Sequence, residues 1–163
     1  MANGQTTAHQ EAVETVRELI KGIDIAMLTT VSEDGLVSRP MKTQEVEFDG
    51  DLWFLTKEDT DKYHQLQDNP HVNVAYVGKS YVSIRGQGER IEDRAKIKEL
   101  WNPGYAKLLQ TTSDDPQLVL IKVKAEAAEY WETGNWTKMM KRMFSQLTGA
   151  RSETELNHTV NLK

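Results

Sequence analysis

The chain has 163 residues, and its 25 Asp and Glu outnumber its 20 Lys and Arg to give a net charge of −5. This length suits one domain with a hydrophobic core of its own, and the acidic balance excludes a surface that coats nucleic acid, which requires an excess of basic residues. The absence of cysteine excludes disulfides, thiol nucleophiles and cysteine-ligated zinc. We therefore expect any redox chemistry to depend on a bound cofactor.

Hydrophobic periodicity divides the chain into an N-terminal helix, a series of short strands and several short helices. The first helix is expected over residues 8–21, between a capping box that begins at Thr7 and the glycine at position 22. The predicted strands cover residues 25–31, 36–43, 46–48, 51–56, 72–77, 81–91 and 117–132. Further helices are predicted within 57–70 and over 93–101, 105–109 and 137–149. This pattern favours a mainly β (α+β) fold, an antiparallel barrel of six or seven strands with peripheral helices.

Two strands contain residues that indicate local irregularity. Pro40 lies inside the second strand and cannot donate a hydrogen bond to a neighbour, so it marks an edge strand or a bulge. Gly86 and Gly88 interrupt the strand over 81–91 and indicate a bend or a close approach of another backbone.

The motifs of hydrolytic, metal and dinucleotide sites are not found in the sequence. It contains no G-x-S-x-G nucleophile elbow, no H-E-x-x-H motif and no EF-hand loop, so neither a hydrolase nor a metal site is expected. The Gly-Gln-Gly at 86–88 lacks the third glycine of a dinucleotide fingerprint and lies within a predicted strand.

A cluster of two cations, two hydroxyls and an apolar strand carries more information. It consists of Ser-Arg-Pro-Met at 38–41, Trp-Phe-Leu-Thr at 53–56, Thr60 and Lys62. A phosphate group is held by a guanidinium, an ammonium and a hydroxyl or helix N-terminus, which Arg39, Lys62 and Thr60 could supply. A flat apolar ring could lie along the strand over 53–56. Taken singly, each cation is equally compatible with an ordinary surface position.

The order and spacing of the residues in this cluster resemble those of the split-barrel flavin-binding proteins related to pyridoxamine 5'-phosphate oxidase. Among these proteins, the bacterial general stress protein group is the most similar. The similarity runs from about Ile25 to Trp131. The segments that carry it are SRPM (38–41), FDGDLWFLT (48–56), DTDKYHQLQDNPHVNVAY (59–76), YVSIRGQGERIEDRAKIKELW (81–101) and DDPQLVLIKV (114–123).

The resemblance implies a split barrel that pairs as a homodimer, with one FMN at each of two interface sites. Arg39 and Lys62 would then bind the flavin phosphate with help from Thr60, and the neighbouring strand residues would lie along the isoalloxazine ring. Tyr81 and Trp101 would come from the partner chain, although packing alone explains both equally well. The candidate cofactor-binding residues are Ser38, Arg39, Pro40, Met41, Phe54, Leu55, Thr56, Thr60, Lys62, Tyr81 and Trp101.

Two departures from the family pattern bear on the reaction. Pyridoxamine oxidases carry an arginine directly before the helix lysine, where this chain has Asp61. They also carry a lysine for the substrate phosphate, where this chain has Gln44. We therefore expect flavin binding without oxidation of pyridoxamine phosphate.

Several readings of the function stay open at this stage. A flavin-dependent oxidoreductase, with a small-molecule electron donor or acceptor, is favoured over a flavin carrier without turnover and over a barrel that binds no cofactor. The residues do not separate FMN from FAD.

The two ends of the chain carry expectations of their own. Residues 1–150 are expected to form the single FMN-binding domain and residues 151–163 a mobile polar tail. The N-terminus lacks a basic segment followed by an apolar stretch, and no apolar run approaches the about 20 residues of a membrane helix. We expect a cytoplasmic protein with no membrane or nucleic-acid partner.

Overall fold

The computed structural model describes residues 2–44, 48–58, 61–132 and 158–163. The helices are α1 (Ala2–Ile20), α2 (Asp61–Asp68), α3 (Arg94–Leu100) and α4 (Pro103–Leu109). The strands are β1 (Ile25–Ser32), β2 (Gly35–Lys42), β3 (Asp51–Lys57), β4 (His71–Val77), β5 (Ser80–Ile91), β6 (Leu118–Glu132) and β7 (His158–Asn161). Within this described part, no helix combines the length and apolar character needed to cross a bilayer.

The strands form one antiparallel sheet in the order β2-β1-β4-β5-β6-β3, with β7 paired to β6 beside it. β2 and β3 end this order and contact each other without forming a ladder, so the barrel is open along one seam. The predicted antiparallel split barrel is confirmed. Pro40 lies in β2, opposite Met27 of β1, and its strand is an edge, as its missing N–H requires.

Alternation along the strands builds two apolar clusters. Inward-facing side chains such as Leu28, Val74 and Ile84 fill the barrel, and Val16 of α1 packs against the same cluster. A second, smaller cluster joins Leu55 of β3 to α3, α4 and β6. The helices therefore cover the barrel at two separate places, one of them beside the open seam.

The strand β5 bends where the sequence predicted a close approach. The register between β5 and β6 shifts between Arg85 and Gly86, which marks a β-bulge. A Cβ atom at Gly86 would lie 2.2 Å from the carbonyl oxygen of Lys124. A Cβ atom at Gly88 would instead meet the side chain of Leu66 on α2 at 2.7 Å. The missing side chain of Gly86 therefore lets the backbone of β6 come close, and that of Gly88 leaves room for Leu66 of α2.

The N-terminal and C-terminal parts of the chain differ from what the sequence predicted. α1 begins at Ala2, ahead of the predicted capping box, and its helical backbone includes Gly4 despite the low helix propensity of glycine. It ends before Gly22, which has the positive φ of 77° expected of a helix stop. The tail predicted to be mobile contains β7, whose alternating pattern brings Leu162, just beyond the strand, into the barrel core.

Two predicted elements fall outside the description. The strand predicted over 46–48 includes residues 46 and 47, and the helix predicted over 137–149 lies wholly within 133–157, and neither segment belongs to the described residues. Phe48 itself is described, and its side chain is buried in the barrel core.

Candidate functional site

The seam between β2 and β3 places two strand edges side by side. Among the residues that the structure describes, each strand has a ladder partner on one side only, β1 for β2 and β6 for β3. The backbone N–H and C=O groups on their other sides are therefore not used by the sheet. Such groups can form hydrogen bonds with the polar rim of a flat ligand that enters the seam.

One end of the seam is joined to α2 through Arg39. Its guanidinium Nη2 donates to the side-chain oxygen Oε1 of Gln65 at 2.7 Å. The same oxygen accepts from the hydroxyl of Thr30 at 2.5 Å, and Thr30 is completely buried on β1. Gln65 therefore fixes the half-buried arginine of β2 against the face of α2.

The backbone of α2 relates this arginine to the predicted phosphate residues. Lys62 precedes Gln65 by three residues in α2, and positions three apart share one face of a helix. The position of Lys62 therefore lies on the helix face that meets Arg39. Thr60 lies outside the described residues, and the side chains of Asp61 and Lys62 are not described either.

The other end of the seam is joined to α4 through Tyr105. This side chain is fully buried, donates its hydroxyl to the carbonyl of Lys42 at 3.0 Å and accepts from Gln44 Nε2 at 2.6 Å. Burial raises the pKa of Tyr105 above its usual range, with the bond from Gln44 opposing, so the hydroxyl keeps its proton at neutral pH. Its ring stacks on Trp101 at a centroid distance of 6.1 Å and belongs to the cluster of Leu55.

The other candidate residues lie on two different faces of the sheet. Met41 and Phe54 point into the barrel core, and Thr56 is buried beside Leu55 in β3. Such residues can reach a ligand in the seam through their backbone. Ser38 lies on the opposite, outer face, where its hydroxyl bonds that of Thr29 at 2.6 Å.

Pro40 and Tyr81 also lie on the outer face. Pro40 is exposed beside Met27, and Tyr81 is exposed at the start of β5, opposite Val77. Within one chain, neither side chain is brought to the face of β2 that carries Arg39. Trp101 lies at the Tyr105 end of the seam and not at the Arg39 end.

Sequence reasoning missed three residues that organise the seam. Gln65, Thr30 and Tyr105 each contact a distant part of the chain, and none was among the candidate site residues. The spacing of Gln65 from Lys62 is the one signal available, because it places a polar amide on the face of the predicted phosphate residue.

Comparison with known proteins matches the chain to one family. A family profile described as pyridoxamine 5'-phosphate oxidase like matches residues 11–153. A search of curated protein sequences finds no significant match.

Solved structures share the fold. General stress protein 26 from Bacillus anthracis is 26% identical, with 74% of this chain and 91% of that chain covered and a TM-score of 0.63. A general stress FMN/FAD binding protein from Xanthomonas citri is 29% identical, with 76% and 89% covered and a TM-score of 0.65. A NimC/NimA family protein from Clostridium acetobutylicum, 18% identical, covers 96% of both chains at a TM-score of 0.62 and shows the fold alone.

Proposed function

Because this chain belongs to the pyridoxamine 5'-phosphate oxidase-like family, we propose that it is an FMN-binding general stress protein that acts as a flavin-dependent oxidoreductase. The observation that carries the proposal is the Arg39–Gln65 contact, which joins the strand cation to the helix of Lys62. The similar protein from Xanthomonas citri is described as FMN/FAD binding, which supports the same ligand class.

The residues of the seam fit a flavin in three respects. Arg39 and Lys62 would hold the phosphate, since a guanidinium and an ammonium on neighbouring elements suit a dianion. The facing edges of β2 and β3 would hydrogen-bond the polar rim of the ring, and the backbone at the buried apolar residues Met41 and Leu55 would lie along it. When bound, the flavin supplies the capacity to accept and pass on electrons, while this chain orients it and excludes water.

We do not assign pyridoxamine phosphate as the substrate. Gln44 occupies the place of the substrate-phosphate lysine, and its amide is engaged with Tyr105. A neutral amide in this role cannot attract a second phosphate as an ammonium does. This supports a substrate without a phosphate group at that position.

The test of the proposal is a titration of the purified chain with FMN, followed by the fluorescence of the flavin. We expect saturable quenching with one FMN per chain. If FMN fluorescence is unchanged at high micromolar protein, both the oxidoreductase and the carrier function are excluded. If FMN binds, anaerobic mixing with NADH or NADPH separates the two, because bleaching of the flavin indicates a reductase and an unchanged spectrum indicates a carrier.

The proposal includes a homodimer, which an apolar patch on the outer sheet face supports. The patch consists of Ile25, Met27, Pro40, Val77 and Tyr81, which lie next to one another in the β2-β1-β4-β5 registers. Val77 is 65% exposed and Ile25 49% exposed. A contiguous apolar patch of this kind marks a protein interface more often than a bare surface.

Replacing Val77 by lysine is expected to raise the dimer dissociation constant about 100-fold, because a two-fold dimer buries two copies of the valine and each contributes about 1.5 kcal/mol. Sedimentation velocity across a concentration series measures the change. Leu108→Lys is the matched control, since Leu108 is 58% exposed on α4 and lies outside the patch. A monomeric parent chain, or equal effects of the two variants, would contradict the assigned interface.

A further inference from the structure

Lys42, the last residue of β2, lies at the end of the seam that Tyr105 occupies. Its backbone carbonyl accepts the hydrogen bond from the Tyr105 hydroxyl at 3.0 Å. Its side chain lies against the backbone of α4, because a Cβ atom at Gly104 would come within 2.7 Å of Lys42 Cε. The glycine therefore leaves room for the lysine stem, and the half-buried side chain stays beside the seam.

The charge of Lys42 lacks the compensation that comparable lysines have. Within the described ranges, three other lysines are also half-buried, and each lies within 3.9 Å of a carboxylate oxygen, namely Lys57, Lys96 and Lys122. Lys42 forms no ion pair with any residue of those ranges, and its Nζ lies 6.0 Å from the ring centroid of Tyr105, at the limit of a cation–π contact. A half-buried ammonium without a carboxylate is suited to an anion supplied by a ligand.

The surroundings of Lys42 favour an aromatic anion with a single charge. Trp101 stacks on Tyr105 at a centroid distance of 6.1 Å and is half-buried, so part of its indole remains open to a ligand. The Tyr105 hydroxyl keeps its proton because burial raises its pKa, so it adds no negative charge beside the ammonium. One ammonium balances one carboxylate, whereas a phosphate dianion is better held by the two cations at the α2 end of the seam.

We propose that Lys42 determines the substrate class of the flavin site by binding the carboxylate of an aromatic acid. Lys42 takes this role only if the seam binds a flavin, so the assignment rests on the function proposed above. An ammonium binds a carboxylate through charge-assisted hydrogen bonds, which a neutral molecule of the same shape cannot match in strength. The open part of the Trp101 indole offers an apolar surface to the ring of the acid.

The test compares benzoate with benzamide, a neutral molecule of nearly the same shape, on the purified full chain loaded with FMN. Calorimetry measures the affinities, and the difference spectrum of the flavin shows whether the ligand lies beside it. Lys42→Met keeps the apolar stem and loses the charge, so we expect it to weaken benzoate about tenfold and benzamide less than about twofold. Lys42→Arg should stay within about threefold of the parent for benzoate. Lys107→Met, at an exposed lysine of α4, is the matched control and should change neither affinity.

The affinity for FMN separates this proposal from the flavin function. We expect Lys42→Met to bind FMN within about twofold of the parent, which also shows that the variant is folded. Raising the ionic strength about tenfold should weaken benzoate but not benzamide in the parent chain, which tests the charge without any variant. If FMN binds but benzoate binds no better than benzamide, leaves the flavin spectrum unchanged, or loses no more affinity than benzamide in Lys42→Met, the carboxylate assignment is wrong and the flavin function stands. If the parent binds no FMN, the flavin function is wrong and the substrate assignment falls with it.

Discussion

Replacing Arg39 by alanine is expected to weaken FMN binding about 10-fold to 100-fold while riboflavin binding changes less than about threefold. Gln65 holds this guanidinium against α2, and a charge-assisted bond to phosphate is worth about twice a neutral one. Riboflavin has the same ring but no phosphate, so its affinity measures how well the seam binds the ring without the phosphate contacts. Fluorescence titration with the two ligands measures both affinities.

Two further variants make this result specific. Arg39→Lys keeps the charge but loses the bidentate fork, and we expect an affinity for FMN between those of the parent and the alanine variant. Arg85→Ala removes an exposed arginine from the outer face of β5 and should leave both ligands unaffected. The fold should survive Arg39→Ala, because Gln65 still accepts from Thr30. Equal weakening of FMN and riboflavin would refute a role at the phosphate.

The architecture was largely predictable because its determinants are local. Alternating apolar residues indicate strands, and Pro40 by itself indicates an edge, since it has no N–H to donate. The glycine at position 86 likewise indicates a close approach before the partner is known. Each of these inferences uses only the residue and its immediate neighbours in sequence.

The contacts that organise the seam depend on distant residues and could not be read from a pattern. Gln65 meets Thr30 and Arg39 only after β1, β2 and α2 have packed together. Tyr105 reaches Lys42 across more than 60 residues. The strand β7 is similar, because its four residues pair with a part of β6 that is distant in sequence. Propensity says little about so short a segment.

These long-range contacts give the seam two different ends. At one end Arg39 supplies positive charge beside α2, and at the other end Tyr105 supplies a neutral hydroxyl already bound by Gln44. A flavin oriented by this difference would place its phosphate at α2 and leave its ring toward β3. The fixed polarity of the seam would thus decide the direction in which the ligand lies.

The close approach of β5 and β6 predicts the largest effect on stability. Gly86→Ala is expected to lower the free energy of unfolding by about 3 kcal/mol, because its Cβ would lie 2.2 Å from the carbonyl oxygen of Lys124 and 3.1 Å from the Cα of Ala125. Both atoms belong to the backbone of the longest strand, so they can yield only if the β5–β6 ladder shifts. For a chain of this size, such a loss lowers the melting temperature by about 10 °C, measured by circular dichroism or calorimetry.

Gly88→Ala is the matched control on the same strand. Its Cβ would meet Leu66 at 2.7 Å and Val72 at 3.3 Å, and both contacts are to side chains. Leu66 can change rotamer, so we expect a loss of about 1 kcal/mol or less, partly offset because alanine restricts the unfolded chain more than glycine does. Accommodating the alanine would thus displace the side chain of Leu66 on α2 and leave the β5–β6 ladder in place. If Gly86→Ala proved no more destabilising than Gly88→Ala, the bulge would have to tolerate a side chain, and the backbone contact with Lys124 would not be what demands glycine there.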